Sequence, residues 1–252
     1  MSRIISIHSF RGGTGKSNTT ANVAAALAMK GKRIAVVDTD LNSPGIHMLF
    51  NFDLESPDLG FVLNHFLWGD CEIQEAAYDV TANLGPNIPG QVYLLPGSIK
   101  TAEISRLLRE GYDVGLLNDG FDDLIEKLQL DALLVDTHPG LSNETLLSIA
   151  ITDILLITLR PDHQDYQGTA VTVEVARKLQ VPDMRLVINK MPEVYNFNQV
   201  RTLVESKYRC QVAAILPHAD EMMTLASQDI FVLRHPDHRI SQEIKALVDT
   251  FL

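Results

Sequence analysis

A glycine-rich segment near the start of the chain carries the residues with the clearest chemistry. Residues 11–17 read Arg-Gly-Gly-Thr-Gly-Lys-Ser and follow an apolar, β-branched run at 4–7. Glycines in such a turn let backbone N–H groups point inward, where they and the positive end of a following helix hold phosphates. A lysine there reaches the terminal phosphates, and a serine hydroxyl ligates Mg²⁺. The predicted nucleotide-binding residues of this loop are Gly12, Gly13, Thr14, Gly15, Lys16, Ser17 and Asn18.

The loop departs from the strict phosphate-loop pattern, Gly-x-x-x-x-Gly-Lys-Ser/Thr, at one position. Phe10 stands where that pattern has its first glycine. The elements still follow in the required order, because a strand is predicted at 3–9 and a helix at 16–30. This order disfavours the alternative interpretation, in which the segment is a glycine turn that binds no ligand.

Two acidic residues follow the second predicted strand, which spans 33–37. Asp38 and Asp40 are separated by one threonine. Parallel sheets bind ligands beyond the carboxyl ends of their strands, so both side chains are expected beside the phosphate loop. Two carboxylates there can serve the ligand shell of Mg²⁺ and position a water molecule. The alternative is a helix-capping aspartate followed by a solvated loop residue.

A further acidic residue, Asp136, ends the apolar strand predicted at 131–135. A hydrophobic strand that ends in aspartate is the Walker B arrangement, in which the carboxylate holds Mg²⁺ through water. The predicted metal ligands are therefore Ser17, Asp38 and Asp136. His138 lies two residues on, and we interpret it as a surface or packing residue in preference to a catalytic base.

The remaining elements follow from apolar periodicity and turn residues. Further strands are predicted at 91–95, 154–159, 185–188 and 212–216, and helices at 59–67, 73–78, 101–109, 121–128, 143–150, 163–179 and 240–252.

Together these segments resemble the MinD/ParA family of P-loop ATPases. Residues 11–17 resemble the family's deviant Walker A motif, Lys-Gly-Gly-x-Gly-Lys-Ser/Thr, while 38–45 resemble its switch I and 136–140 its switch II. The resemblance extends over nearly the whole chain. It implies a single P-loop ATPase domain over 1–252, an α/β fold with a mostly parallel, twisted sheet of seven or eight strands and helices on both faces.

The resemblance also implies catalytic roles in Mg²⁺-dependent hydrolysis of ATP to ADP and phosphate. Lys16 would stabilise the developing charge on the phosphates, and Asp40 would orient the attacking water. Arg11 stands where the family has a signature lysine that reaches the partner's nucleotide across a homodimer. Arginine keeps the charge of lysine and changes its donor geometry. The resemblance thus implies a homodimer in the ATP state.

Three further residues are assigned by the same resemblance to nucleotide contacts. The N–H of Gly140 would sense the γ-phosphate in switch II. Asn189, at the end of the strand predicted at 185–188, would contact the adenine edge, since an amide both donates and accepts hydrogen bonds. Pro217 belongs to a loop expected to cover the base.

Composition and charge narrow the classes of partner. The chain of 252 residues is 46% apolar with a mean hydropathy of +0.05, which is typical of an ordered globular protein. Its net charge of −11 disfavours DNA or anionic lipid as a partner but does not exclude DNA, because folding can gather basic residues into a local patch. Residues 201–252 hold six basic against seven acidic residues and form no basic patch by composition.

Membrane attachment and export are also disfavoured. The apolar stripe of the last predicted helix, 240–252, carries mixed charge around it, so we expect it to pack onto the domain and not to anchor the protein in a membrane. The sequence shows neither the pattern of a signal peptide nor a transmembrane stretch, and we therefore predict a cytoplasmic protein.

The hypothesis is an ATP-driven dimerisation switch, slow in turnover and stimulated by a partner protein, that positions or partitions a cellular cargo. Two alternatives stay open. Phe10 and Arg11 are compatible with a nucleotide-binding module that hydrolyses little, and a biosynthetic ATP-dependent ligase of the same superfamily would need an acceptor pocket. Cys71 and Cys210 lie far apart without a Cys-x-x-Cys motif, which argues against an iron–sulfur protein. The tail lacks the tyrosine cluster of exopolysaccharide-type kinases.

Overall fold

A mostly parallel β-sheet forms the centre of the computed structural model, which describes residues 2–113 and 115–251. Within those ranges its eight strands are β1 (Arg3–His8), β2 (Arg33–Asp38), β3 (Tyr78–Asp79), β4 (Gln91–Leu95), β5 (Ala132–Asp136), β6 (Ile154–Leu159), β7 (Asp183–Met191) and β8 (Gln211–Pro217). Their order across the sheet is β3-β4-β2-β5-β1-β6-β7-β8, and only β3 pairs antiparallel. The predicted mostly parallel sheet of seven or eight strands is confirmed.

Helices lie between the strands and after β8. They are α1 (Lys16–Ala28), α2 (Leu63–Leu67), α3 (Thr81–Leu84), α4 (Thr101–Glu110), α5 (Gly115–Leu128), α6 (Asn143–Ala150), α7 (His163–Lys178), α8 (Phe197–Tyr208), α9 (Asp220–Thr224), α10 (Phe231–Arg234) and α11 (Arg239–Asp249). The region predicted as a helix at 73–78 is a short 3₁₀ turn, Ile73–Ala76, followed by β3. The sequence analysis did not predict α8, and β7 is longer than the predicted 185–188.

The hydrophobic core lies on both faces of the sheet. On one face α1 supplies mainly small residues, and Ala24, Ala25 and Ala28 are fully buried against the strands. Small side chains let this helix lie close to the sheet, and this close packing determines the position of its first turn. On the other face α5 packs over β2 and β5, while α7 and α8 pack over β6 to β8.

The last helix packs onto the domain, as its apolar stripe predicted. Ile240, Ile244, Leu247 and Val248 of α11 are each at most 3% exposed and join the core beside α1 and β8. Within residues 2–113 and 115–251 none of the helices combines the length and the hydropathy that crossing a bilayer requires.

Gly90, the residue before β4, lies against the backbone at the end of α1. A Cβ atom at this position would lie 2.2 Å from the Lys32 carbonyl oxygen and 2.7 Å from that of Ala28. Because both neighbours are backbone atoms, Gly90→Ala should lower the free energy of unfolding by about 1–3 kcal/mol, measured in urea. Gly45→Ala is the control, because its Cβ would meet nothing closer than 4.0 Å. Equal stability of the two variants would contradict this prediction.

Candidate nucleotide-binding site

The loop between β1 and α1 has the backbone geometry that its glycines permit. Gly13 and Gly15 have φ angles of 77° and 95°, a region that other residues rarely adopt. Gly15 caps the amino end of α1, and Lys16 begins the helix with its side chain largely buried. The free N–H groups of the first helical turn therefore face the same space as this lysine, which is the arrangement that binds phosphate.

Phe10 is accommodated without a glycine at its position. It does not have a positive φ, so the strict pattern's first glycine is not required by the backbone here. Its ring lies against Gly168 of α7, where a Cβ atom would come within 2.2 Å of the Phe10 Cδ1 atom. The departure from the strict pattern is thus matched by a glycine on the neighbouring helix.

Arg11 lies against the start of α7. Its guanidinium group is 3.7 Å from the Asp165 carboxylate and 4.0 Å from that of Asp162, and it donates a hydrogen bond to Gln164. The Arg11 side chain is 41% exposed. Its predicted contact with a partner's nucleotide stays a prediction, and it requires these ion pairs to be exchanged.

Two carboxylates lie side by side where β2 and β5 end. Asp38 and Asp136 are direct partners in the register of these parallel strands, and both are 1% exposed. The Asp38 carboxylate accepts backbone N–H groups from Asp40 and Gly45, each at 3.1 Å. Burial and the neighbouring Asp136 raise the pKa of Asp38. Asp38 thus holds the loop after β2 in place, and its predicted contribution to Mg²⁺ stays a prediction.

Asp136 combines burial with contacts to α1. Its Oδ1 atom accepts a hydrogen bond from the Thr20 hydroxyl at 3.2 Å. Burial raises the pKa of Asp136 to about 6, while Lys16 and the hydroxyls of Ser17 and Thr20 oppose that rise. A carboxylate and a serine hydroxyl meeting beside a phosphate loop are hard oxygen donors of the kind Mg²⁺ prefers. Ser17 and Asp136 therefore fit the predicted metal site.

Asp40 brings a third carboxylate towards Lys16. Its Oδ1 atom is buried and has no hydrogen-bond partner within the described residues. Burial raises the pKa of Asp40, while His138 and Lys16 oppose that rise, and the His138 Nε2 atom lies 3.8 Å from Oδ1. An acceptor atom in this position is able to take a hydrogen bond from a water molecule.

Switch II is tied to β1 by hydrogen bonds. Thr137 donates its hydroxyl to the Ile7 carbonyl at 3.0 Å, and the Gly140 N–H donates to the Ser9 carbonyl at 3.0 Å. The predicted contact of Gly140 with a γ-phosphate requires this bond to be exchanged. His8 lies 2.9 Å from the Thr137 hydroxyl through Nδ1, and burial lowers its pKa to about 3. Sequence reasoning missed His8, since it falls within an apolar strand.

A cavity of about 390 Å³ adjoins the phosphate loop. That volume lies within the usual range for a small-molecule site. The predicted residues Asn189 and Pro217 both line it, and Asn189 also donates a hydrogen bond to the Thr14 carbonyl at 2.8 Å. The rest of its lining comes partly from residues whose place at the site the sequence analysis missed. Apolar side chains in helices carry no motif, and those lining the cavity include Met222, Met223, Ile240 and Ile244. Lys190, at the end of β7, also lines it.

Asp136→Asn should stabilise the protein at pH 7.5 in the presence of a chelator. A carboxyl whose pKa is raised from 3.8 to about 6 contributes most to stability below pH 3.8, and this contribution is lost as the pH rises through about 6. A pKa difference of about two corresponds to about 3 kcal/mol. We expect the variant to gain up to that amount in the free energy of unfolding at pH 7.5 and less at pH 5, measured in urea.

Asp122→Asn, on the exposed surface of α5, is the matched control and should shift stability little at either pH. An Asp136→Asn protein that is less stable than wild type at both pH values would contradict the prediction that burial of the ionised Asp136 carboxylate lowers the free energy of unfolding.

Comparison with known proteins identifies the family. Residues 2–188 match the family model AAA_31, described as an AAA domain. An uncharacterized ATP-binding protein of Methanocaldococcus jannaschii, MJ0169, is 27% identical over 236 residues, which cover 92% of this chain and 81% of the relative.

Solved structures share the fold. The septum site-determining protein MinD of Pyrococcus horikoshii, complexed with Mg-ADP, has a TM-score of 0.79 at 22% identity and covers 100% of this chain and 96% of its own. A plasmid partition protein of Borrelia burgdorferi has a TM-score of 0.74 at 18% identity and covers 99% and 97%. The chain belongs to the AAA domain family and has the fold of the MinD/ParA P-loop proteins, which confirms the resemblance predicted from the sequence.

Proposed function

We propose that this chain binds ATP with Mg²⁺ and hydrolyses it to ADP and phosphate. The observation that carries this proposal is the meeting of one buried lysine, Lys16, with the buried carboxylate of Asp136 and the partly buried carboxylate of Asp40 beside the phosphate loop. Lys16 is close enough to lower the pKa of both Asp40 and Asp136 against the effect of their burial. Preorganised charges in a water-excluded site are the main source of catalysis in phosphoryl transfer.

Each residue of the site has a separate role in this proposal. The loop N–H groups and Lys16 bind the phosphates and stabilise the charge that develops on them. Ser17 and Asp136 would hold Mg²⁺, which neutralises phosphate charge when bound. Asp40 accepts a hydrogen bond from the attacking water through its unpartnered oxygen. The cavity lined by Asn189 and Pro217 takes the nucleoside.

The proposal extends to a switch in which ATP joins two copies of the chain and hydrolysis separates them. Arg11 supports it, because its own side chain is 41% exposed and its buried partner Asp165 is also paired with Arg160, so Asp165 keeps a cationic partner when Arg11 leaves. Its guanidinium group can therefore be exchanged onto phosphates of a facing copy, as an arginine finger would be. A septum site-determining protein and a plasmid partition protein among the similar structures support a role in positioning or partitioning a cargo, with a partner protein stimulating turnover.

Asp40→Asn should separate binding from hydrolysis. We expect phosphate release from Mg-ATP to fall about 100-fold, because an amide orients water less well than a carboxylate, while ATP binding by calorimetry stays within a few fold. Asp53→Asn, on an exposed loop, is the control and should keep wild-type turnover. Unchanged turnover in Asp40→Asn would exclude the proposed role of Asp40. Negligible turnover of the wild type would favour a nucleotide-binding module instead.

Arg11 can be tested for its role between copies in the Asp40→Asn background, where ATP persists. Light scattering should find a dimer with Mg-ATP and a monomer with Mg-ADP, and adding Arg11→Ala should leave a monomer with either nucleotide. Arg11→Lys is the control and should restore the dimer, because it keeps the charge. A dimer with both nucleotides would contradict the switch and favour the biosynthetic-ligase alternative.

A further inference from the structure

The end of β7 makes two hydrogen bonds to consecutive carbonyl groups of the phosphate loop. Asn189 donates its Nδ2 to the Thr14 carbonyl at 2.8 Å, and Lys190 donates its Nζ to the Gly13 carbonyl at 3.0 Å. The fit is close, because a Cβ atom at Gly15 would lie 2.3 Å from the Asn189 Nδ2 atom. The loop is therefore held by hydrogen bonds to β7, which is separated from β1 by one strand of the sheet.

The backbone of β7 is bent at the point where this contact is made. Successive side chains of a regular strand point to opposite faces, so two neighbouring residues could not both reach one loop. Lys190 has a φ of 57°, in the left-handed region that a side chain disfavours, and the pairing of β7 with β8 shifts register between Ile188 and Met191. The Lys190 N–H donates to the Asn189 side-chain oxygen at 2.8 Å and closes the bend. This local strain brings both side chains to the loop.

The two contacted carbonyls determine where the phosphate-binding N–H groups point. Within one planar peptide unit the C=O and N–H bonds are directed oppositely. The Gly13 carbonyl shares its peptide with the Thr14 N–H, and the Thr14 carbonyl shares its peptide with the Gly15 N–H. Holding both carbonyls outward therefore directs both N–H groups inward. Glycine at 13 and 15 makes these peptides free to rotate, so an external hold is needed to keep them in one orientation.

We propose that Lys190, with Asn189, is a positioning residue that presets the phosphate loop for a nucleoside di- or triphosphate. This inference rests on the proposed ATP binding and adds a role that the Walker-type residues do not have. Lys190 acts on the phosphates through the Gly13–Thr14 peptide, and the residue also lines the adjoining cavity. Loss of its ammonium group should weaken ligands that carry phosphates and spare the nucleoside alone.

The variant Lys190→Met removes the donor and keeps an unbranched stem along the cavity. We expect the Kd for Mg-ATP and Mg-ADP to rise about fivefold, which corresponds to the net contribution of one ordinary hydrogen bond. The affinity for adenosine, measured by competition at millimolar concentration, should stay within about twofold, and the melting temperature without ligand should not move. Lys190→Arg should restore most of the ATP affinity. Lys178→Met, at the exposed end of α7, is the control.

Several outcomes would overturn the inference. An unchanged Kd for Mg-ATP in Lys190→Met would show that the loop keeps its shape without the contact. An equal loss for adenosine and Mg-ATP would show that Lys190 acts as a cavity wall only. If the wild-type protein itself fails to bind Mg-ATP, the proposed function fails and this inference fails with it. Wild-type ATP binding together with either of the first two results would overturn the inference alone.

Discussion

The rest of the structure depends on the crowding of carboxylates at one edge of the sheet. Parallel pairing of β2 with β5 sets Asp38 directly opposite Asp136, and the loop after β2 brings Asp40 towards the same lysine. Like charges that are buried together raise each other's pKa unless positive groups compensate them. The chain compensates with Lys16, with hydroxyls from α1 and with backbone N–H groups of the loop after β2. The pairing of two acids in register is consistent with the proposed Mg²⁺ site.

Compensation by Lys16 depends in turn on the shape of the phosphate loop. The lysine begins α1, so its position follows from where the small-residue face of that helix meets the sheet. The loop can connect β1 to this helix only with positive φ at Gly13 and Gly15. Gly15 also has to lack a side chain because Asn189 occupies the space beside it. The compensation of the three carboxylates by Lys16 therefore depends, through the phosphate loop, on the contact with the end of β7.

Sequence reasoning located the parts of the site that carry motifs and missed those that depend on tertiary placement. Asp136 was predictable because an apolar strand ending in aspartate is distinctive by itself. His8, buried and bonded to Thr137, looked like any residue of an apolar strand. Lys190 became significant only through a left-handed backbone that sequence does not display.

The fold was predictable for a related reason. Buried parallel strands are continuous apolar runs that are easy to find, and the resemblance of four motifs in order supplied their arrangement. The short strand β3 and the helix α8 lacked such signals. The apolar side chains within 73–78 suit either a helix or a strand. Tyr78–Asp79 form a strand because they pair with β4. The lining of the cavity by α9 and α11 joins segments that are distant from the loop in sequence.

Phe10 and Arg11, the two residues that depart from the expected sequence motif of the loop, both contact α7. Phe10 lies on Gly168, and Arg11 lies among the acidic and amide side chains at the helix start. Asp165 is nearly fully buried and is also bonded to Arg160, so it keeps a cationic partner if Arg11 leaves. Breaking the Arg11 contact therefore does not strand a buried charge, which would otherwise be costly. The pairing of Asp165 with Arg160 therefore supports the proposed exchange of Arg11 between α7 and a facing copy of the chain.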